Sequence, residues 1–201
     1  MKSPVQFYFD FSSPYGYLAA MKIDELAAKY GRDVEWHPVL LGVIFKITAC
    51  LPLTQVPMKG KYSEHDFART ARFHDIPFVM PTVFPISSQH AARAVLWVAN
   101  TQGRARSVAF AKALYRAFFV DQINISGAEQ VIEIGRQFGL DAAALEQGIA
   151  TAEVKDQLKN EIDEAIKAGV FGSPFVIVDG EPFWGFDRFD QIEATLKNGK
   201  I

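Results

Sequence analysis

Short apolar stretches near the start of the chain flank a segment with a helical pattern of hydrophobic positions. Residues 5–9 are mostly aromatic or β-branched, and residues 34–39 begin and end on valine around a tryptophan, which predicts two strands. Between them, residues 15–30 carry apolar side chains at a spacing near 3.6, which predicts one helix. A strand, helix and strand in this order favour parallel neighbours joined by a right-handed crossover.

The middle of the chain predicts helices separated by loops. Prolines punctuate residues 51–60 and residues 77–85, which predicts two irregular connections. Alanine-rich or amphipathic stretches predict helices at residues 63–74, at residues 88–120 with a break near Gly103, and at residues 151–168. A Ser126-Gly127-Ala128-Glu129 capping box predicts a further helix that ends at about residue 138, and Asp141 is a candidate cap for a short helix after it.

The end of the chain predicts a β-hairpin followed by a helix. The hairpin consists of an apolar strand at residues 175–178, an Asp179-Gly180 turn signal and a returning strand at residues 181–184, and the helix covers residues 188–198. A hairpin that completes a partly parallel sheet is the thioredoxin plan.

This order of elements predicts an α/β protein with a thioredoxin-like fold and an all-helical insertion. We expect the thioredoxin-like domain to consist of residues 1–46 and 151–201, and the insertion domain to consist of residues 47–150. The chain has 201 residues, of which 49% are hydrophobic and 22% charged, as in ordinary globular domains.

Charge and cysteine content exclude several classes of protein. The net charge of −2 argues against a general nucleic-acid binder, which normally has a basic excess. Cys50 is the one cysteine, so no intrachain disulfide can form, and a reducing compartment is the simpler expectation. No apolar run reaches the roughly 18 residues that a membrane span needs, and residues 1–6 lack an export-signal pattern, so we expect a soluble, cytoplasmic protein.

Ser13 is the first candidate functional residue. It stands between a predicted strand and a predicted helix, with Pro14 next, which is a favoured way to begin a helix. The same geometry would let its hydroxyl donate a hydrogen bond to an anion near the unpaired N–H groups, and a thiolate is one such anion. Both interpretations remain open from the sequence.

Two further candidates flank the C-terminal hairpin. Ser173-Pro174 is either a plain proline at the start of a strand or a cis-proline loop whose Ser173 backbone pairs with an extended ligand. Asp187, in the sequence Trp184-Gly185-Phe186-Asp187-Arg188, is either the N-cap of the last helix or a carboxylate that binds an ammonium group. The second interpretation suits the amino-acid end of a peptide.

Other catalytic patterns are absent from the sequence. The four histidines show neither H-E-x-x-H nor a spacing with cysteine, so we expect no metal site. The chain has no G-x-S-x-G elbow and no G-x-G-x-x-G after its first strand, which disfavours a hydrolase triad and a dinucleotide site. Cys50 is more typical of a small buried apolar residue than of a nucleophile.

The candidate motifs resemble, in order along the chain, those of 2-hydroxychromene-2-carboxylate isomerases and kappa-class glutathione transferases. These families form a DsbA-like branch of the thioredoxin fold. The resemblance rests on Asp10-Phe11-Ser12-Ser13-Pro14-Tyr15-Gly16-Tyr17-Leu18, on residues 40–46 and 57–62, on Gly172-Ser173-Pro174 and on residues 184–188. Ser13-Pro14-Tyr15-Gly16 stands where a disulfide oxidoreductase carries C-x-x-C, so dithiol exchange through that motif is not possible here.

The resemblance implies a homodimeric enzyme that uses glutathione to interconvert 2-hydroxychromene-2-carboxylate and trans-o-hydroxybenzylidenepyruvate in aromatic catabolism. The substrate is then a small aromatic keto or hydroxy acid. Ser13 would contact the glutathione sulfur, and Ser173 beside Pro174 would pair with the cysteinyl part. The Trp184-Gly185 turn would present the Phe186 N–H and the Asp187 carboxylate to the γ-glutamyl end.

The resemblance also implies a substrate side to the site. Lys46 would face the substrate, and Cys50 aligns where many relatives carry asparagine. Two alternatives remain open: a kappa-type transferase that consumes glutathione by conjugating electrophiles, and a redox-inactive thioredoxin-like binding module.

Overall fold

The structure, a computed structural model, describes residues 3–201. It contains one four-stranded mixed sheet with the strand order β2-β1-β3-β4. The strands are β1 (Val5–Phe9), β2 (Val34–Pro38), β3 (Phe175–Val178) and β4 (Glu181–Trp184). The β1–β2 pair is parallel and the other two pairs are antiparallel, which confirms the predicted thioredoxin-like sheet.

Helices cover both faces of this sheet. They are α1 (Pro14–Ala20), α2 (Ile23–Ala28), α3 (Leu41–Thr48), α4 (Lys59–Phe73), α5 (Gln89–Gln102), α6 (Arg104–Phe119), α7 (Ala128–Gln137), α8 (Ala142–Ala150), α9 (Ala152–Lys167) and α10 (Phe189–Asn198). One-turn 3-10 helices occupy Leu53–Gln55 and Phe186–Arg188. The helices α3 to α9 all lie, in sequence, between β2 and β3.

The predicted single helix at residues 15–30 is wrong, because the chain breaks between α1 and α2. Met21 ends α1, and Lys22, with φ of −120°, precedes α2. Leu18 and Ile23 are both fully buried on the two sides of the break. Since both helices face the same core, the apolar periodicity continues across the break and cannot reveal it.

The starts of two other helices also differ from the prediction. The helix expected at Ser63 begins earlier, at Lys59, and Ser63 lies buried inside it with its hydroxyl donating to the Gly60 carbonyl at 2.7 Å. The capping box at Ser126 is not formed. Gly127 is the N-cap of α7 and has no side chain with which to accept a hydrogen bond.

The helix α3 was not predicted from the hydrophobic pattern. Ile44 is its one buried residue among the described positions 41–48, whereas Val43 and Ile47 are exposed. Apolar residues occupy five of the eight positions and are spread around the helix, so no single amphipathic stripe marks the segment. The cap at Asp141 is confirmed, since its side chain accepts from the Ala144 N–H at 3.0 Å. Thr151, where the next helix was expected to begin, is the N-cap of α9 and accepts from the Val154 N–H at 3.3 Å.

The core lies mainly on one face of the sheet. Phe7 and Phe9 of β1 are fully buried there, and Phe9 packs edge-on against Phe11 at 5.4 Å between ring centroids. Phe11 in turn contacts Tyr115 of α6 at 4.7 Å. Alternate residues of β1 point the other way, so Tyr8 packs in a smaller cluster under α9.

Helices between β2 and β3 thus share their largest core with the sheet. The proposed boundaries of an insertion domain at residues 47 and 150 stay a prediction. Within residues 3–201 no helix combines the length and apolar character required to cross a membrane. Residues 1 and 2, part of the segment inspected for an export signal, lie outside the described residues.

Candidate active site

One end of the sheet gathers most of the residues that the sequence indicated. Tyr8, near the end of β1, pairs with Phe175 at the start of the antiparallel β3. Phe175 pairs in turn with Trp184 at the end of β4. Ser13 follows β1 and Ser173 precedes β3, so the topology brings three separate segments of the chain together.

Ser13 both caps α1 and reaches the loop before β3. Its backbone is extended, and its Oγ accepts a hydrogen bond from the Gly16 N–H at 2.9 Å. Its hydroxyl proton is donated to the Ser173 carbonyl oxygen at 2.7 Å. The N-cap interpretation is therefore confirmed, and the same hydroxyl lies directly against the second candidate segment. Its contact with an anion stays a prediction.

The Ser173–Pro174 peptide bond is cis. The Ser173 hydroxyl oxygen accepts from the Asp10 N–H at 3.0 Å, and the Pro174 carbonyl accepts from the Gly185 N–H at 3.1 Å. Ser173 is 8% exposed and Ser13 is 5% exposed, so these polar groups lie at the floor of the site rather than on its rim.

Trp184, at the end of β4, packs against the loop before β3. Its indole packs against Phe171 with 4.9 Å between ring centroids. It also covers Gly172 so closely that a Cβ added there would lie 2.3 Å from the indole Nε1. Gly185 follows with φ of 106°, a conformation that favours glycine. The turn and the cis-proline loop therefore form one unit.

Asp187 is not the N-cap of the last helix, contrary to that interpretation. Arg188 occupies the N-cap of α10, because Phe186–Arg188 forms a 3-10 turn ahead of the helix. The Asp187 side chain is 72% exposed and its Oδ2 lies 3.6 Å from the Arg188 guanidinium. Phe186 is buried beneath the turn, against His74. The turn thus presents an accessible carboxylate on an anchored backbone.

Tyr15 and Asp66 form a contact that the sequence did not indicate. The Tyr15 hydroxyl donates to Asp66 of α4 at 2.5 Å, and Asp66 also pairs with Arg69 one turn along the same helix. Burial raises the pKa of Asp66, but the hydrogen bonds from Tyr15 and Arg69 outweigh it and lower the pKa overall. The spacing of Asp66 and Arg69 is visible in the sequence, whereas the contact with Tyr15 is long-range.

The pKa of Tyr15 is raised, chiefly by burial and then by Asp66 and the more distant charge of Asp187. Tyr15 therefore stays a neutral hydrogen-bond donor at physiological pH. It lies two residues after Ser13 and connects α1 with α4 beside the site.

Lys46 and Cys50 lie on the segment that leaves β2, and both are exposed. Lys46 is in the last turn of α3 and forms no ion pair within residues 3–201. Cys50 lies just beyond Ala49, and its thiol is 3.6 Å from the Thr48 carbonyl. The expectation of a buried, apolar Cys50 is wrong, because the chain after α3 turns outward into solvent. Neither side chain contacts Ser13 or Ser173.

Asp10 is a buried carboxyl group beneath the site and was not indicated as a functional residue. It is 2% exposed and lies in the connection from β1 to α1. Burial raises its pKa, against hydrogen bonds that favour the ionised form. Among the described residues no group of three or more His, Cys, Asp or Glu side chains could hold a metal ion.

Comparison with known proteins extends over nearly the whole chain. Residues 4–197 match the family described as "DSBA-like thioredoxin domain". A 2-hydroxychromene-2-carboxylate isomerase from Sphingobium xenophagum is 30% identical over 199 residues, which cover 98% of this chain and 99% of the relative. A glutathione S-transferase kappa 2 from Caenorhabditis elegans is 28% identical over 205 residues, covering 96% and 91% respectively.

Solved structures give a consistent result. The structure of a 2-hydroxychromene-2-carboxylate isomerase superposes with a TM-score of 0.85 at 25% identity, covering 96% of this chain and 94% of that one. A cytosolic disulfide reductase, DsbM of Pseudomonas aeruginosa with GSH, has a TM-score of 0.69 at 17% identity, over 98% of both chains, and shares the fold. The sheet order, the cis-proline loop and the match over residues 4–197 together show that the chain belongs to the DSBA-like thioredoxin domain family.

Proposed function

We propose that the protein is a glutathione-dependent isomerase that interconverts 2-hydroxychromene-2-carboxylate and trans-o-hydroxybenzylidenepyruvate. The observation that carries the proposal is the 2.7 Å hydrogen bond from the Ser13 hydroxyl to the Ser173 carbonyl, beside the cis bond to Pro174. The named relatives at 25–30% identity support the same reaction class. Bound glutathione supplies a thiolate nucleophile for reversible addition to a conjugated acid.

The polar groups of the floor suit a thiol-bearing peptide. Ser13 Oγ accepts from the Gly16 N–H, and its single proton is the one hydrogen bond that it can donate. An extended ligand that offers an N–H to the Ser173 carbonyl takes the place of the Ser13 hydroxyl there. The Ser13 proton is then free to stabilise a sulfur anion. A hydrogen bond to a charged group contributes about 1.5–3 kcal/mol, which corresponds to roughly one to two pKa units.

The turn after β4 suits the γ-glutamyl end of glutathione. The exposed Asp187 carboxylate can accept hydrogen bonds from an α-ammonium group, and the Phe186 N–H can donate to an α-carboxylate. Trp184 and Gly185 hold this turn against the cis-proline loop. The cysteinyl part and the γ-glutamyl end of the ligand would therefore bind to two segments that are packed against each other.

Lys46 and Cys50 form the substrate side of the proposed site. The exposed ammonium group of Lys46 would neutralise the carboxylate of a small aromatic keto or hydroxy acid or a developing oxyanion. The resemblance to the isomerase family implies asparagine at the position of Cys50, so we expect Cys50→Asn to increase kcat/KM for 2-hydroxychromene-2-carboxylate. An unchanged or lower kcat/KM would remove Cys50 from the substrate contacts.

The test of the proposal is a titration of glutathione bound to the protein, followed by the ultraviolet absorbance of the thiolate. We expect Ser13→Ala to raise the pKa of the bound thiol by about one to two units. Ser107→Ala is the matched control, because Ser107 is also 5% exposed and donates to a backbone carbonyl, that of Val95, at 2.7 Å. An equal thiol pKa in wild type and Ser13→Ala would refute the role of Ser13.

A kappa-type transferase is the second candidate function, supported by the relatives of that name. It predicts that glutathione is consumed stoichiometrically with an electrophile such as chlorodinitrobenzene, whereas the isomerase leaves total glutathione constant. A redox-inactive binding module predicts no measurable calorimetric affinity for glutathione at millimolar concentration.

We further propose that the protein acts as a cytoplasmic homodimer. The exposed apolar side chains of Leu53, Met58 and Tyr62, close together in the chain at the start of α4, support a second copy packing on this part of the protein. Light scattering after size exclusion measures the mass directly, and a monomeric mass at micromolar concentration would contradict the dimer.

A further inference from the structure

The side chain of Asp10 is an acceptor for three separate segments around the site. Its Oδ1 accepts from the Ser12 N–H at 2.8 Å and from the Ser88 hydroxyl at 2.5 Å. Its Oδ2 accepts from the Leu41 N–H at 2.6 Å. These donors belong to the turn before α1, the residue before α5 and the first residue of α3.

The backbone of Asp10 adds contacts to the same centre. Its N–H donates to the Ser173 hydroxyl oxygen at 3.0 Å. Its carbonyl accepts from the Ser13 N–H and from the Tyr115 hydroxyl, each at 3.0 Å. One residue thus connects the Ser13 turn, the cis-proline loop and three helices.

The two backbone N–H groups among these partners favour a carboxyl group over an amide at this position. Asp10 is 2% exposed and no ion pair is formed with it in the described part of the chain. The three groups that contact the Asp10 side chain are two backbone N–H groups and one hydroxyl, and each is placed to donate. An ionised carboxylate only accepts, so it can serve all three. An asparagine in the same position would turn its NH₂ group toward either the Ser12 or the Leu41 N–H, leaving one buried backbone donor without an acceptor.

We propose that Asp10 is a positioning residue that holds the Ser13 hydroxyl and the helix carrying Lys46 in a fixed relation to each other. This inference rests on the proposed glutathione-dependent reaction. Ser13 would act on the sulfur and Lys46 on the substrate. One oxygen of the buried Asp10 carboxyl group accepts from the turn before α1, and the other accepts from the start of α3.

The test compares Asp10→Asn with Asp24→Asn. Asp24 is a suitable control because its carboxylate also accepts two side-chain hydrogen bonds, from Trp36 Nε1 at 2.9 Å and Lys112 Nζ at 2.6 Å, but it lies on α2. We expect Asp10→Asn to lower kcat by about ten- to hundredfold with little change in KM, since misplacement of reacting groups costs this much. The pKa of the bound glutathione thiol should rise by about one unit, and Asp24→Asn should change neither quantity.

A second variant and a second measurement keep the inference testable if Asp10→Asn folds poorly. Ser88→Ala removes one of the three donors, so we expect a smaller change of the thiol pKa and of kcat in the same direction. Amide hydrogen exchange, measured without glutathione, should be faster at residues 11–16 and 41–44 in Asp10→Asn than in Asp24→Asn.

The outcomes separate this inference from the proposed function. If wild type forms no thiolate with glutathione, the proposed function fails, and the exchange measurement alone decides whether Asp10 holds the two segments. If wild type forms the thiolate and Asp10→Asn matches it in thiol pKa and kcat, the positioning role is overturned. Equal losses in Asp10→Asn and Asp24→Asn would also overturn it, because they would reflect stability alone.

Discussion

Ser13 illustrates how one side chain serves structure and proposed chemistry together. A serine at a helix N-cap needs its oxygen for a backbone N–H, and Ser13 Oγ accepts from Gly16. The remaining proton has to be donated elsewhere, and here the acceptor is the Ser173 carbonyl. The structural and functional interpretations of Ser13 are therefore compatible, because they use different hydrogen bonds of the same hydroxyl.

Gly16 is packed tightly against Ser13 and Ser173, which leads to a testable prediction. A Cβ on Gly16 would lie 2.7 Å from Ser173 Oγ and 3.0 Å from Ser13 Cβ, so both serines have to shift. We expect Gly16→Ala to weaken glutathione binding and to lower the free energy of unfolding by about 1–3 kcal/mol, as for other overpacked sites. Urea denaturation and calorimetry measure the two effects.

Gly42 offers the matched control for this change. It lies in α3, and a Cβ there would have no neighbour within 4 Å. Gly42→Ala should raise the free energy of unfolding by about 0.4–1 kcal/mol through the unfolded chain. If both glycine variants were equally stable and bound glutathione equally, close packing around Gly16 would have no role.

At the scale of elements, α1 and α4 are joined by an aromatic contact and a hydrogen bond, both made by Tyr15. Tyr15 packs edge-on against Phe67 with 4.8 Å between ring centroids, while its hydroxyl reaches Asp66. The two helices are far apart in sequence, and α4 follows a proline-containing loop. The contact therefore fixes where the loop and α4 lie relative to the site.

Tyr15→Phe tests this contact, because it keeps the ring packing and removes the hydrogen bond. We expect a loss of about 1 kcal/mol in the free energy of unfolding at pH 7. Tyr62→Phe is the control, since the Tyr62 hydroxyl accepts from Arg69 at an exposed position and should matter less. Similar losses in the two variants would contradict a specific role for the Tyr15–Asp66 contact.

The same pair predicts a pH dependence of stability. The pKa of Asp66 is lowered from its usual value of 3.8, so its folded carboxylate contributes stability above that value and loses it as the pH falls through the folded pKa. The stability difference between wild type and Tyr15→Phe should therefore be largest above pH 4 and shrink in more acidic solution. Thermal unfolding at a series of pH values measures it, and a constant difference would contradict the assignment.

For the molecule as a whole, Arg32 connects regions that are distant in sequence. Its guanidinium forms a two-pronged pair with Asp179 in the β3–β4 turn, at 2.9 and 2.8 Å, and its Nε donates to the Ser3 carbonyl at 2.6 Å. The side chain is 2% exposed. This pairing joins the connection from α2 to β2, the hairpin and the stretch before β1.

We expect Arg32→Met to lower the free energy of unfolding by about 1.5–3 kcal/mol, because hydrogen bonds to charged groups are lost at a buried position. Arg32→Lys should restore only part of it, since an ammonium group cannot reproduce the planar fork. Arg136→Met, which breaks an exposed pair with Glu133 one turn away in α7, should cost less. Urea denaturation that ranked Arg136→Met as the more destabilised variant would contradict this view.

Much of the fold follows from local pattern. The strands are predicted by β-branched and aromatic runs, the hairpin by Asp179-Gly180, and the cap of α8 by the residue type of Asp141. The errors have local causes too. The break at Met21 lies where apolar periodicity is continuous, and the apolar residues of α3 surround the helix instead of forming one stripe.

The site also contains residues that local sequence patterns indicate and contacts that only the structure shows. Ser13, Ser173 and the turn from Trp184 to Asp187 could be singled out from the sequence, because a cap, a proline and a turn glycine leave marks in neighbouring residues. The bond between Ser13 and Ser173, the role of Asp10 as a shared acceptor and the contact of Tyr15 with Asp66 could not. Each of them joins residues that only the packing of the sheet and helices brings together.

By itself, the sequence determined the order of the four strands and of most helices, the absence of an intrachain disulfide and the loss of both sulfurs from the position of a C-x-x-C motif. Only the tertiary structure decided which polar groups meet at the end of the sheet and that Cys50 faces solvent. The physical reason is distance along the chain. Propensity, capping and periodicity act over a few residues, whereas a buried acceptor such as Asp10 obtains its donors from segments up to 105 residues away.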